Sequence, residues 1–207
     1  ERGADPNAGG PGYTALHWVS GAWHTELTGN LQGIDVEREK EWRSLNEFSD
    51  DRKVTVVESL LQHGANVNVR LERKPPQYGF ASGRFRVGLI GATPFWLAAM
   101  DGNVALMRML SEAGADATLG TDEETSPLMV AAGLGQVPAE TRVMPEESLA
   151  AVEFALSLGA NVNRLNAVGR AALHGAAHIR SDEIVQVLVD HGAAVNAADQ
   201  RGITPLM

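Results

Sequence analysis

A five-residue pattern that begins Gly-Ala recurs along this chain and constrains its fold more than any other feature. Its copies are GADPN from Gly3, GANVN from Gly64, GADAT from Gly114, GANVN from Gly159 and GAAVN from Gly192. An apolar segment with helical spacing precedes most copies, so each glycine stands where the end of a helix favours a left-handed backbone. The regular return of one unit predicts a chain made of stacked copies of a small structure.

A second motif lies between successive copies of the first. It reads TALHW from Thr14, TPFWLAA from Thr93, SPLMVAA from Ser126, AALHGAA from Ala171 and TPL from Thr204. Thr and Ser cap helices, and Pro is favoured in the first turn of a helix. Each unit is therefore predicted to hold a helix of small residues, a tight turn, an amphipathic helix and the Gly-Ala turn.

Taken together, the two motifs resemble those of the ankyrin repeat, which follows T-P-L-H-x-A-A with G-A-D-x-N over about 33 residues. The resemblance implies an all-α solenoid of helix-turn-helix units with short β-hairpin fingers. Four repeats, with partial repeats at both ends, would form a single array over residues 1–207. The resemblance also implies a protein-interaction or assembly module that is not an enzyme and uses no cofactor.

Several repeats depart from the family pattern. Ala171 replaces the capping Thr of the fourth repeat, so the first helix of that repeat is expected to begin less firmly. The motif His, present as His17 and His174, is replaced by Trp96 in the second repeat and by Met129 in the third. In those two repeats the polar bonds to the next repeat must be remade by other groups or replaced by packing.

The spacing of the Gly-Ala pairs locates three insertions. From Gly159 to Gly192 the spacing is 33 positions, whereas the three earlier spacings are 61, 50 and 45. The extra residues are predicted near 22–51, 70–90 and 136–147. The first and third lie between the two helices of their repeats, and the second lies on the finger side, at the opposite edge of the solenoid. Insertions in a repeat array often carry the binding face, although they can equally be padding.

The first two insertions differ in charge. The first is rich in acidic residues, and its aromatic side chains are expected to pin it onto the solenoid. The second is basic and is expected to form an extended finger that contacts an acidic neighbour; because aromatic residues alternate with Arg, a nucleic-acid loop is the alternative. The predicted insertion contacts are Trp23, His24, Trp42, Arg73, Lys74, Tyr78, Phe80, Arg84 and Arg86.

In ankyrin repeat proteins, partners lie in the concave groove formed by the finger tips and the exposed end of each first helix. Carrying that groove over by register predicts the following partner-binding residues: Met100, Asp101, Asp122, Glu123, Leu134, Leu165, Val168, Arg170, His178, Ile179, Gln200 and Arg201. Three of them, Leu134, Val168 and Ile179, are expected to be exposed together as an apolar strip that a partner would cover.

Composition and motifs argue against several other classes of protein. The net charge of −9 disfavours a nucleic-acid or anionic-membrane surface, and no apolar run is long enough to span a bilayer. Motifs for nucleotide binding, zinc proteases and serine hydrolases are absent. His174 and His178 have metal-ligand spacing, but His174 is the motif His, so no metal site is predicted. His24 with Glu26 is the alternative small-ligand or metal cluster.

Both ends of the sequence fall within a repeat, since it begins ERGADPN and finishes DQRGITPLM. We therefore expect that the array continues beyond these residues or that another chain stacks on the open end. The expected partners are proteins, including copies of this chain or flanking repeats. Two alternatives stay open: a structural subunit that stacks into a filament, and a ligand-binding domain of a larger exported protein. The resemblance to long ankyrin proteins of environmental bacteria favours an exported location over a cytoplasmic one.

Overall fold

A computed structural model of the chain describes residues 3–21, 50–74, 87–136 and 143–207. Within these ranges every regular element is an α-helix, as the motifs predicted. The helices are α1 (Ala15–Ser20), α2 (Asp50–Gln62), α3 (Pro94–Met100), α4 (Val104–Glu112), α5 (Pro127–Ala131), α6 (Pro145–Ser157), α7 (Ala172–Ile179) and α8 (Asp182–Asp190). Among the described residues, no helix has the length and apolar character that crossing a membrane requires.

The helices form two layers. The odd-numbered helices contact one another in chain order, from α1 to α3, α5 and α7, and the even-numbered helices do the same. Each odd helix also packs against the even helix that follows it. This arrangement is the predicted solenoid of helix pairs, in which one pair is one repeat.

Small side chains in the first layer allow the repeats to approach closely. Ala98, Ala131 and Ala176 are almost completely buried between neighbouring first helices. Trp96 of α3, the largest fully buried side chain among the described residues, lies in the same layer. In the second layer Ala151 and Ala155 are buried beside larger aliphatics, namely Leu106, Leu110, Val152, Ile184 and Leu188. The core is therefore a continuous strip along the array.

The first helices begin where the capping motif predicts. The Thr93 hydroxyl accepts the amide of Trp96 at 3.2 Å, and the Ser126 hydroxyl accepts the amide of Met129 at 3.4 Å. Ala171 has no hydroxyl and makes no side-chain cap bond, but the ring of His174 accepts the cap amide, as the ring of His17 does at Thr14. The His174 Nδ1 accepts the amide hydrogen of Ala171 at 3.1 Å, so α7 keeps one side-chain bond at its start.

The glycines of the Gly-Ala turns have the predicted left-handed conformation. The φ angles of Gly64, Gly114, Gly159 and Gly192 are 83°, 91°, 82° and 86°. These positive values let the chain leave each second helix sharply, and a residue with a Cβ atom would be strained there. Each second helix therefore ends at the residues that the sequence indicates.

Asparagine side chains join successive Gly-Ala turns. The Asn68 side chain donates to the Gly114 carbonyl at 3.1 Å and accepts the amide of Asp116 at 2.8 Å. Asn7 and Asn163 make the same pair of bonds to the turns that follow them. At the equivalent position of the Gly114 turn stands Thr118, whose hydroxyl donates to Asp116 within its own turn at 2.6 Å.

The residues at the motif His position tie each first helix to the next repeat. The His17 Nε2 donates to the Ala92 carbonyl at 3.2 Å, and the His174 Nε2 donates to the Ile203 carbonyl at 3.2 Å. Trp96 remakes this bond with its indole, which donates to the equivalent Thr125 carbonyl at 2.8 Å. Met129 instead lies with its sulfur 3.4 Å from the Ser126 amide, in its own capping turn. The hydrogen bond from the first helix to the next repeat is therefore replaced by packing only in the third repeat.

Candidate interaction surface

The fingers are tight turns that precede the first helices, and we number them by residue: finger 1 (9–13), finger 2 (88–92), finger 3 (121–125), finger 4 (166–170) and finger 5 (199–203). A backbone bond from the first to the last residue closes fingers 3, 4 and 5, at 3.0, 2.9 and 2.9 Å. Among the described residues no β-strand forms here, so the expected hairpins are present as closed turns.

Neighbouring fingers are joined by single backbone hydrogen bonds. The Asp122 amide donates to the Ile90 carbonyl at 2.9 Å, which links finger 3 to finger 2. The Ala167 amide donates to Glu123 at 2.9 Å, and the Gln200 amide donates to Val168 at 3.0 Å. Fingers 2 to 5 consequently form one row with a fixed spacing along an edge of the array.

The three carboxylates of finger 3 bind groups on both sides of that finger. Asp122 pairs with Arg70 at 2.9 Å, and Glu124 pairs with Arg164 at 2.5 Å. Glu123 accepts the amide hydrogen of Gly88 at 3.0 Å. Two predicted partner-binding residues, Asp122 and Glu123, are thus engaged within the chain and help to hold the finger row together.

A similar tie joins fingers 4 and 5. The Arg170 Nε lies 3.1 Å from the buried carboxylate of Asp199, and the Gln200 side chain donates to the Ala167 carbonyl at 2.7 Å. Burial raises the pKa of Asp199, but the amides of Ile203 and Arg201 and the Arg170 guanidinium outweigh it and hold that pKa below its usual value. Arg170 and Gln200, both predicted to face a partner, therefore also fix finger 5.

Apolar side chains stay exposed on fingers 2 and 4 and beside finger 4. Leu165 is 48% exposed, Val168 is 46% exposed and Ile90 is 37% exposed. Ile90 was not among the predicted contacts because it lies at the end of an insertion. Its position just before the left-handed Gly91 matches that of Val168 before Gly169, and this register could have identified it.

The predicted apolar strip is wrong, because its three residues are not exposed together. Leu134 is only 6% exposed, and Ile179 is half-buried. A Cβ atom added to Gly175 in α7 would lie 2.5 Å from the Leu134 amide nitrogen, so the chain after α5 runs directly over α7. Of the strip, Val168 alone has the exposure that was expected. Met100, another predicted contact, is also buried at 6% exposure.

The first-helix layer is open at the first repeat and closed at the next two. Trp18 is 42% exposed and stacks on Tyr13, with the ring centroids 6.1 Å apart. Leu97 and Val130 occupy the equivalent positions of the second and third repeats and are fully buried. A partner could therefore reach this layer at Trp18, which sequence reasoning did not single out.

Val87, near the end of the second insertion, lies against Gly135, which precedes the third insertion. A Cβ atom added to Gly135 would lie 2.8 Å from the Val87 side chain, which is itself buried. Val87 belongs to the segment before finger 2, and Gly135 follows α5. The chain's own residues thus take up space beside the first helices that a partner would otherwise contact.

The remaining predicted contacts divide into described and undescribed residues. Arg73 and Lys74 are exposed, as are His178 and Arg201, and Asp101 is half-buried. The other predicted insertion contacts lie outside the described residues: Trp23, His24, Trp42, Tyr78, Phe80, Arg84 and Arg86. Glu26, proposed with His24 as an alternative cluster, also lies outside them. In the described part of the chain, no group of three His, Asp or Glu side chains is arranged to hold a metal ion.

Comparison with known proteins agrees with this architecture. Residues 143–207 match the family described as ankyrin repeats in three copies. The chain is 35% identical over 125 residues, 51% of its length, to an ankyrin repeat and KH domain-containing protein, mask-1, of Caenorhabditis elegans. It is 33% identical over 89 residues, 43% of its length, to an ankyrin repeat protein of Acanthamoeba polyphaga mimivirus.

A third relative, an ankyrin repeat and KH domain-containing protein of Caenorhabditis briggsae, is 31% identical over 159 residues, 70% of this chain. These relatives are much longer proteins, of which the chain spans 5%, 11% and 5%. The bacterial origin expected from the sequence stays a prediction. Given the recurring motifs, the two helix layers and these matches, the chain is an ankyrin repeat protein.

Proposed function

We propose that this chain is a protein-interaction module whose partner contacts the finger row, with finger 4 at its centre. Ankyrin repeats generally mediate interactions between proteins, and catalysis is not typical of them. The observation that carries the proposal is the pair Leu165 and Val168, which stay about half exposed while the polar residues around them are engaged within the chain. Exposed apolar side chains surrounded by polar groups are typical of binding surfaces.

The closed first-helix layer supports a partner that lies on the fingers and not deep between fingers and helices. Leu97 and Val130 are fully buried, so the second and third repeats offer little apolar surface there. Ile90 and Val168 lie on either side of Glu123 along the finger row, which gives the surface an apolar–acidic–apolar order. His178, exposed near the end of α7, would form one border of the contact.

The rigidity of the finger row supports the same proposal. Backbone hydrogen bonds join fingers 2 to 5, and the Arg170–Asp199 pair fixes the last of them. A surface that is already ordered loses little conformational entropy when a partner binds, so more of the contact energy appears as affinity. The fingers would act as a preformed template.

The test compares two single substitutions with similar exposure. Val168→Asp places a charge on the proposed surface, whereas Val195→Asp does so after the last Gly-Ala pair, where Val195 is 37% exposed. Proteins cross-linked to the wild type in its native cells are measured by quantitative mass spectrometry. We expect Val168→Asp to lose those proteins and Val195→Asp to keep them. Equal recovery with both variants would refute binding through finger 4.

Stacking of copies is the second candidate function. The last repeat and the residues after it expose Val189, Val195 and Leu206, the last at 68%. If these residues join copies end to end, sedimentation of the wild type should show a mass that rises with concentration. Val195→Asp should then abolish the rise, and Val168→Asp should leave it unchanged. A mass that stays at one chain at all concentrations would exclude stacking of this chain on itself.

A further inference from the structure

A short segment of the second insertion lies across α5. The Gly88 amide donates to the carboxylate of Glu123 at 3.0 Å, and Glu123 belongs to finger 3, just before α5 begins. The preceding residue, Val87, lies against Gly135, four residues after α5 ends. Because two adjacent residues contact the chain on both sides of the helix, the segment 87–89, here called the cover segment, crosses α5.

The cover segment and the helix face at this repeat are both buried. Val87 and Leu89 are buried, and Val130 of α5 is fully buried. Trp18 holds the position of Val130 in the first repeat, and it is 42% exposed. A first helix can therefore leave this position open, and the residues of the cover segment are additions to the repeat pattern.

The contacts of the cover segment define what kind of polypeptide fits on α5. A Cβ atom added to Gly88 would lie 2.6 Å from the carboxylate carbon of Glu123, so a side chain there would disturb the bond. The branched side chain of Val87 packs on Gly135, which has no side chain of its own, and Leu89 is enclosed. Backbone bonds combined with pockets for alternate side chains are a recurring mode of peptide recognition.

The bond at the middle of the cover segment can be reached by water. Glu123 is exposed and Gly88 is half-buried. Backbone bonds that join finger 2 to the rest of the chain follow the segment: Gly91 donates to Leu71 at 2.7 Å, and Ile90 accepts from finger 3 at 2.9 Å. Solvent-exposed hydrogen bonds open more readily than those of a packed core. Separation of the cover segment from α5 therefore leaves the bonds of finger 2 in place.

We propose that α5 and the residues beside it form a peptide-binding groove, for which the cover segment is an internal competitor. The partner is a polypeptide segment of the same chemistry: a branched aliphatic residue, then glycine, then leucine. It enters when the cover segment leaves, donates its glycine amide to Glu123 and packs its aliphatic side chain on Gly135. The groove lies beneath the cover segment, so this proposal does not rest on the contact at finger 4.

The test is fluorescence anisotropy with a labelled, blocked Arg-Val-Gly-Leu-Ile peptide, which copies residues 86–90, and the full 207-residue chain. The wild type should bind weakly, because its affinity is reduced by the fraction of molecules whose groove is open. Gly88→Ala should bind roughly tenfold more tightly, because it weakens the internal competitor and leaves the groove unchanged. A peptide with alanine in place of glycine is the control. No binding to Gly88→Ala, or equal binding of the control peptide, would overturn the proposal.

A substitution on the other side of the same bond separates competition from a general loosening of the chain. Glu123→Ala also removes the bond to Gly88, but it alters the groove for the cover segment and the peptide alike. Its affinity for the peptide should therefore not exceed that of the wild type. If Glu123→Ala and Gly88→Ala tighten binding equally, the peptide binds a loosened chain and the proposal fails.

A second variant and a folding measurement complete the test. Val87→Ala shrinks the competitor and keeps its backbone bond, so it should also tighten binding. Hydrogen exchange of the Leu97 and Val130 amides, which bond within their capping turns, should stay as slow as in the wild type. Unchanged affinity in both variants with this protection intact would refute competition. Dimers of the wild type that the peptide cannot separate would assign the groove to a second copy and overturn the proposal.

Discussion

The boundary between repeats 1 and 2 and the boundary between repeats 2 and 3 are held together by different side chains. At the first boundary Asn68 joins two Gly-Ala turns, and His17 joins the first helix to the next finger. At the second boundary Trp96 replaces the histidine and makes the equivalent bond. Thr118 replaces the asparagine and does not reach the next turn; Arg164 crosses back instead and donates to the Thr118 carbonyl at 2.5 Å.

This difference shows which requirement the fold imposes. Fingers 2, 3 and 5 each carry a carbonyl that accepts a bond from the previous first helix, and either an imidazole or an indole N–H can donate it. The turn-to-turn bond needs both a donor and an acceptor on one short side chain, which asparagine has at that reach. Threonine has a single hydroxyl and a shorter reach, so its replacement leaves a gap that another residue must bridge.

The largest effect on stability is expected from a substitution that disrupts the second boundary at Trp96. Trp96→Ala removes a fully buried indole and the bond to the Thr125 carbonyl. We expect the free energy of unfolding to fall by about 3–5 kcal/mol, since the site can collapse only partly around the cavity. Urea unfolding followed by circular dichroism measures the change. A loss below about 1 kcal/mol, the usual effect of a surface substitution, would show that Trp96 does not hold this boundary.

Two further variants separate the packing of Trp96 from its hydrogen bond. Trp96→Phe keeps an aromatic ring and removes the indole donor to the Thr125 carbonyl, which still accepts the Thr121 amide, so the lost bond should cost about 0.5–1.5 kcal/mol. Trp96→His supplies a ring N–H as His17 does, so it should recover part of that loss. It also leaves a smaller cavity than Trp96→Ala does. If both variants were as unstable as the alanine variant, the volume of the indole would be its whole contribution.

Much of the fold could be predicted because it depends on local chemistry. Capping residues, left-handed glycines and the spacing of apolar residues each act within one repeat, and the bounds of the helices follow from them. The exposure of Leu134 and Met100 could not be predicted in this way. Leu134 is buried where the chain after α5 lies against Gly175 of α7, and such a contact between repeats cannot be read from the motif of one repeat.

The same distinction applies to the candidate surface. Register correctly predicted that Val168 on finger 4 and Leu165 beside it are exposed. It could not tell that Asp122 and Glu123 bind Arg70 and Gly88, because those partners lie at the two ends of the second insertion, which the repeat register does not cover. An exposed position in a repeat motif therefore identifies a candidate contact. Only the structure shows whether its side chain already bonds to another part of the chain.

A second prediction tests the turn-to-turn bonds at both boundaries. Asn68→Thr converts the first boundary to the arrangement of the second and should lower the free energy of unfolding by about 1–3 kcal/mol. Thr118→Asn makes the opposite change and should raise it by about 1 kcal/mol, since the new amide can bond the Gly159 turn. Chemical denaturation measures both. Loss of stability in both variants would mean that the two turns are spaced differently and cannot share one bonding pattern.

A third prediction concerns pH and the first boundary. Burial lowers the pKa of His17 below its usual value of 6.5, although bonds to the Ala92 and Val69 carbonyls oppose the shift. The unfolded chain therefore binds a proton more readily than the folded one between the lowered pKa and pH 6.5. Stability is retained above this window and lost as the pH falls through it, by at most about 1.4 kcal/mol per pH unit.

The measurement compares wild type with His17→Gln by urea unfolding from pH 7.5 to 5. The substitution should lower stability at neutral pH and make the decline toward pH 5 less steep, because the titrating ring is gone. Trp96 already fills the equivalent position with a group that does not titrate, so the second boundary should add nothing to this decline. An unchanged slope in His17→Gln would place the origin of the decline in other residues.

The smallest expected effect concerns Glu124, which takes a position that fingers 2, 4 and 5 fill with glycine. Its φ of 60° is left-handed, whereas Gly169 at the equivalent position of finger 4 has a φ of 81°. Glu124→Gly relieves strain of about 1–2 kcal/mol but loses an ion pair worth about 0–1 kcal/mol and adds flexibility to the unfolded chain. We expect these effects to cancel within about 1 kcal/mol.

Gly169→Ala provides the matched reverse change. The added Cβ atom would be strained at positive φ and would lie 3.2 Å from the backbone of Asp199, so we expect a loss of about 1–2 kcal/mol. Thermal unfolding of both variants against wild type measures the contrast. If Glu124→Gly destabilises the chain as much as Gly169→Ala does, the ion pair with Arg164 must contribute far more than a partly exposed pair usually does. The second boundary would then depend on that pair as the first depends on Asn68.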